Sequence, residues 1–187
     1  MIWNGNISIA IKEAGELWSL SNIERGMLGT VYTLGLLFGS YVWGHIGNSK
    51  GRLRSLYFDH IGSIVSALGY TVSVSYSMLM FFALCVGFFM GGVYVLSGAL
   101  YSESSAKSKE WTLVLLSACI ALGGVIVYLL ALVIVLATGS EYEVWRYVGA
   151  CSCLIEGLCF GLLFLVYESP KFVLSMNDVE KAKGILK

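Results

Sequence analysis

Charge is scarce in this chain. Twelve basic and twelve acidic residues make up 13% of the sequence, about half the share that a soluble surface carries. The two signs cancel to a net charge of zero, and no basic stripe is present, so neutralising a phosphate backbone is excluded and no nucleic-acid partner is expected. There is no paired nucleophile and base, no Walker loop and no dinucleotide fingerprint, so the chain is not read as an enzyme and no cofactor is expected. Metal-ligand spacing is missing as well. Cys85, Cys119, Cys151, Cys153 and Cys159 all fall in apolar stretches and read as small packed side chains; His45 alone is no ligand set. A single proline, Pro170, permits a helix restart.

Apolar residues are abundant. They form 57% of the chain, above the roughly 45–50% of soluble proteins, which makes the lipid bilayer the expected solvent. Five apolar stretches, about residues 26–46, 55–74, 77–101, 112–138 and 146–167, are each long enough to cross it. Without water to satisfy backbone amides they must be helices, since no ten-residue alternation suggests a barrel. The expected fold is an all-α membrane protein with five transmembrane helices. The run containing Met78, Phe81, Phe82 and Phe88 reads as a lipid and packing face rather than a cofactor box.

The expected organisation has three parts. Residues 1–24 form an unanchored extracytoplasmic leader, too polar and short to span; residues 25–168 form the bundle; residues 169–187 form a tail with a short amphipathic helix. Ser21 and Glu24 have capping-box spacing and place a helix start just after them. Lys50, Arg52, Arg54, Lys107, Lys109, Lys171, Lys181, Lys183 and Lys187 fall on one side of the bundle, against Lys12, Arg25 and Arg146 on the other. The positive-inside rule then puts the carboxyl terminus in the cytosol and the amino terminus outside, where Asn6, Ile7 and Ser8 have the form of a glycosylation acceptor.

Paired glycines four apart, Gly35 with Gly39, Gly87 with Gly91 and Gly157 with Gly161, put bare backbone on helix faces and predict close helix packing. Glu156 is the one carboxylate deep within a stretch. It reads either as a functional group for a proton or a cationic substrate, or as a protonated acid hydrogen-bonded to a neighbouring helix. Asp59 and His60 are expected at a solvated helix end; the alternative is Asp59 as a substitute partner for Arg52 or Arg54.

The loop from Gly44 to Arg54, the pair Trp145 and Arg146, and the run Glu168, Ser169, Pro170 and Lys171 together resemble the major facilitator superfamily. The branch of synaptic vesicle glycoprotein 2, near the sugar and organic-ion porters, is the most similar. In that family the second loop reads G-x-x-x-D-x-x-G-R-R and the sixth helix ends in P-E-S-P-R. Gly44, Gly51 and Arg52 fit the first pattern, and Glu168 to Lys171 fit the second with lysine for arginine; Gly87, Gly91, Gly92 and Glu103 match the fourth family helix. Asn48 stands for the family aspartate, Leu53 for the second arginine and Ala83 for the helix-four arginine, so the resemblance implies that both halves of a cytoplasmic gating pair are missing, leaving no stranded ion.

By this resemblance the five helices correspond to family helices two to six, and the first residues are a remnant of helix one. The implied function is that of a secondary solute carrier working by alternating access. The chain would be an incomplete amino-terminal portion, inactive alone, whose partners are a small-molecule solute in the full-length relative and a complementary transporter half. The alternative is a non-transporting membrane module that keeps the fold for binding or assembly. A self-dimer that rebuilds two halves ranks last.

Overall fold

The computed structural model of the chain describes residues 2–104, 111–138, 143–166 and 168. Among these the regular elements are six α-helices and a terminal 3-10 turn: α1 (Ile2–Leu17), α2 (Asn22–Lys50), α3 (Arg52–Thr71), α4 (Tyr76–Ser104), α5 (Trp111–Thr138), α6 (Val144–Leu162) and the turn Leu163–Leu165.

Ser21 and Glu24 open α2 as their spacing predicts. The Ser21 hydroxyl oxygen accepts the Glu24 amide at 3.4 Å, and the Glu24 carboxylate accepts the Ser21 amide at 2.8 Å. The Ser21 hydroxyl proton goes to the same carboxylate, and these bonds, led by the one from the amide, hold the Glu24 carboxyl below the usual carboxylate range. The helix then runs 29 residues to Lys50, about 43 Å at 1.5 Å per residue. A single residue, Gly51, separates it from α3. Its φ of 100° lies where only glycine is free of side-chain strain.

The most extensive helix contact is between α2 and α4, and glycine makes it. A Cβ on Gly35 would collide with the Leu84 carbonyl oxygen, and one on Gly39 with the Phe88 carbonyl oxygen. Reciprocally, Gly87 faces the Tyr32 carbonyl and Gly91 the Leu36 carbonyl. Two backbones therefore touch along two turns. Gly92, on the neighbouring face of α4, lies against the Trp43 ring and the Asp59 carboxyl. The Gly157 and Gly161 pair differs from expectation: both are exposed, and a Cβ on either would meet no described atom within 4 Å.

The amino-terminal segment also departs from the expected unanchored leader. It is a 16-residue helix whose Trp3, Ile7, Ala10 and Ala14 are buried in the main core, with Leu28 and Tyr32 of α2, Tyr70 of α3, Val86 of α4 and Trp145 of α6. The Tyr70 ring is edge-on to both Trp3, at 5.5 Å, and Trp145, at 5.4 Å. Spacing at i, i+3 and i+4 concealed this face behind two asparagines. Asn6 is fully buried, and its amide, turned to suit the backbone around it, donates to the Trp145 carbonyl and accepts from the Gly149 amide. It is therefore no glycosylation acceptor in this fold.

Among the described residues, two helical segments, 76–103 and 144–165, are long and apolar enough to cross a membrane, and Ala121–Ala137 in α5 is a shorter apolar stretch. Helices α2 and α3 are diluted by the glycine, serine and tyrosine that pack them. The outer faces are nonetheless apolar: Leu37 and Phe38 of α2, Val65 and Leu68 of α3, Leu132 and Val133 of α5, and Leu154 and Leu158 of α6 are all exposed.

Candidate functional site

Because Gly51 has no side chain, α3 begins without a cap of its own, and Glu168 supplies one from beyond α6. Its Oε1 accepts the Arg52 and Leu53 amides, each at 3.0 Å, and Oε2 accepts the Leu53 amide at 3.2 Å. A carboxylate there meets both the free amides and the positive end of the helix dipole. The Arg52 guanidinium turns toward the end of α4, where Nη2 reaches Glu103 Oε1 at 3.2 Å, with both side chains largely withdrawn from solvent. Tyr57 adds a bond from its hydroxyl to the Leu163 carbonyl at 3.0 Å. The ends of α2, α3, α4 and α6 thus meet in one charged cluster.

Gly51, Arg52, Glu103 and Glu168 are brought together. Gly44, one helical face away, packs lightly on Val95, whereas Asn48 and Arg54 are exposed and stand apart. Ser169, Pro170 and Lys171 lie outside the described residues. Leu53, at the family's second arginine position, packs against the apolar group of Trp43, Leu56, Leu96 and Leu100. The implied pairing of positions 48 and 83 does not hold here. Ala83 is fully buried with Ile7 and Leu79 in the main core, twenty residues before Glu103 and so about 30 Å along α4 from the end where α2 finishes. Side chains there cannot meet.

Trp145 and Arg146 form a second cluster at the opposite end of the helices. The Trp145 amide, in the first turn of α6, donates to Glu13 Oε2 at 3.0 Å, so α6 is capped by α1 much as α3 is capped by Glu168. Arg146 donates from Nη1 to the last carbonyl of α3, Thr71, at 3.3 Å, pairs with Glu143 at 3.3 Å and lies 4.7 Å over the Trp145 ring. The role of Glu13 carries no sequence motif; only its place one turn from a helix end hints at it.

Between the two clusters lie Glu156 and the acid of α3. Trp3 Nε1 donates to Glu156 Oε2 at 3.1 Å, while Oε1 is buried without a partner among the described residues. The carboxyl borders a cavity of about 130 Å³. Asp59 and His60 are buried rather than at a solvated end: Asp59 has no exposed surface, and His60 is 7% exposed. They sit two turns into α3, where close contact with α4 and α6 removes solvent. Asp59 is not the partner of Arg52, which pairs with Glu103; neither of its oxygens has a hydrogen-bond partner among the described residues. His60 Nδ1 lies 3.1 Å from the Leu56 carbonyl.

Among the described residues, an all-helical bundle with a glycine seam between α2 and α4 and charge clusters at both ends has the helical architecture of the major facilitator type. Residues 7–187 match the family described as "Sugar (and other) transporter", and the chain belongs to that family. It is 25% identical over 170 residues to organic cation/carnitine transporter 7 of Arabidopsis thaliana, with 91% of this chain and 33% of the relative covered. With synaptic vesicle 2-related protein of Xenopus laevis it shares 29% over 171 residues, 91% of this chain and 30% of the relative. The chain thus spans about a third of the length of the curated relatives it matches. Among solved structures, the partially occluded inward-open xylose transporter XylE from E. coli superposes with a TM-score of 0.86 at 22% identity, covering 97% of this chain and 48% of that one. The proton:xylose symporter XylE bound to a bromodeoxyglucose gives 0.83 at 21%, covering 99% and 44%. These superpositions fix the fold; the relatives are transporters, not enzymes.

Proposed function

We propose that this chain forms the amino-terminal bundle of a secondary solute carrier, in which helices α2 to α6 cross the membrane, α1 contributes the end of the first family helix, and the Arg52 cluster lies on the cytoplasmic side. The observation that carries it is the joint held by Arg52, Glu103 and Glu168, which ties α3 to α4 and to the segment after α6. In a carrier built from three-helix repeats, alternating access requires one end of the repeats to close while the other opens. A joint made of a cap and one ion pair is suited to that, because its bonds depend on the relative tilt of three helices. Solute and coupling ion are set by pocket residues from both halves, so transport belongs to the bundle joined to a complementary half.

The test is uptake in liposomes. The chain produced together with the carboxyl-terminal half of the plant organic cation/carnitine transporter is expected to accumulate a labelled solute from a panel of sugars and organic cations, and the chain alone is expected to accumulate none. Uptake by the chain alone would overturn the incompleteness of the bundle, and no uptake by the pair would overturn the carrier reading. Orientation is checked separately with Asn48→Cys and Glu143→Cys in a cysteine-free background. An impermeant thiol reagent on intact cells should label only the second.

A further inference from the structure

We propose that the cavity between α1, α3, α4 and α6 binds a small organic ammonium ion, with Glu156 as its counter-ion. Trp3, His60, Met90, Ser152, Glu156 and Cys159 are among its lining residues. At about 130 Å³ it approaches the roughly 150 Å³ that accommodates a benzene-sized guest in a protein interior. No lysine or arginine among the described residues lines it, so a cationic guest would meet no like charge of fixed sign.

The wall chemistry selects among cations. A buried oxygen without a partner requires a donor or a positive charge, and Glu156 Oε1 is such an oxygen, while Oε2 is fixed by the Trp3 indole. A hard ion such as calcium or magnesium needs about six oxygen ligands. Among the described lining residues the side-chain oxygens are those of Glu156 and Ser152, and the Ser152 hydroxyl proton is given to the Val148 carbonyl. The Trp3 indole and the Met90 thioether, both in the cavity wall, instead suit a methylated ammonium, whose diffuse charge is attracted to aromatic rings. One N–H on that ion would complete the bond to Oε1.

The inference concerns a cavity that this chain holds by itself, so binding is measured on the purified chain and does not depend on uptake by a paired half. Tryptophan fluorescence is followed in detergent while trimethylammonium, tetramethylammonium or neutral tert-butanol is added. Trimethylammonium is expected to saturate with a dissociation constant on the order of millimolar, tetramethylammonium to bind several-fold more weakly, and tert-butanol not to saturate. Glu156→Gln should weaken trimethylammonium at least about tenfold, and Trp3→Phe should remove the fluorescence response. Equal binding of tert-butanol, unchanged binding by Glu156→Gln, or no saturation by the native chain would each overturn the proposal. Should Glu156→Gln fail to fold, the comparison of charged and neutral guests on the native chain still decides the matter.

Discussion

Glu13 and Trp145 are joined by a 3.0 Å bond from the Trp145 amide to the Glu13 carboxylate, across 132 positions of sequence. At the other end of the bundle Glu168 takes the Arg52 and Leu53 amides in the same manner. Helices three positions apart in the order, α3 and α6, thus both begin on a carboxylate borrowed from elsewhere in the chain. The relation fits an inverted pair of three-helix units, in which equivalent helices start on opposite sides.

Removing the borrowed cap should loosen α3. Glu168→Ala leaves the Arg52 and Leu53 amides to be satisfied by water, and a loss of about 1–2 kcal/mol is expected. Glu168→Gln, which keeps an acceptor and loses the charge, should lie between. Thermal unfolding of the purified variants in detergent checks the order.

The glycine seam gives a contrast within one residue type. Gly39→Ala and Gly91→Ala drive a methyl into a facing carbonyl and should cost about 1–3 kcal/mol. Gly157→Ala meets open space and should change stability by less than about 0.5 kcal/mol. Equal effects at all three sites would show that the seam is not the tight contact described.

Arg52 and Glu103 should be coupled. In a double-mutant cycle with Arg52→Ala and Glu103→Gln, the two losses should fall short of additivity by about 0.5–1 kcal/mol. The same cycle with Arg54→Ala in place of Arg52→Ala should show no coupling, because Arg54 is exposed and outside the cluster.

The cap at Ser21 predicts a pH effect of definite sign. Hydrogen bonds to the Glu24 carboxylate depress its folded pKa, so its contribution is complete above the carboxyl's ordinary value of about 4.3 and is lost as pH falls through the lower folded value. The melting temperature of the native chain should exceed that of Glu24→Ala at pH 7, and the gap should close toward pH 3.

Asn6 should carry no glycan. Treatment of the chain from a eukaryotic secretory host with an endoglycosidase should leave its electrophoretic mobility unchanged, since the side chain is enclosed between α1 and α6.

Much of the helix pattern is legible because lipid leaves the backbone few choices: the stretches 26–46, 77–101 and 112–138 fall within α2, α4 and α5, those at 55–74 and 146–167 overrun the ends of α3 and α6, and Ser21 with Glu24 marks the start of α2. Gly35, Gly39, Gly87 and Gly91 stand out by their four-residue spacing, but Gly157 and Gly161 share that spacing and face no described atom, so spacing alone does not tell a seam from bare surface. What stays hidden is whatever depends on contact across distant sequence. Nothing near Trp3 in the chain announces Glu156, and nothing near Asp59 tells that Gly92 leaves room for it against Trp43. The burial of Ala83 in the main core is hidden for the same reason: a linear motif does not say at which end of a rod its partner lies.

With Gly51 alone between them, α2 and α3 have no slack strand to absorb a change of angle. A tilt imposed on one must be handed to the other like motion through a crank.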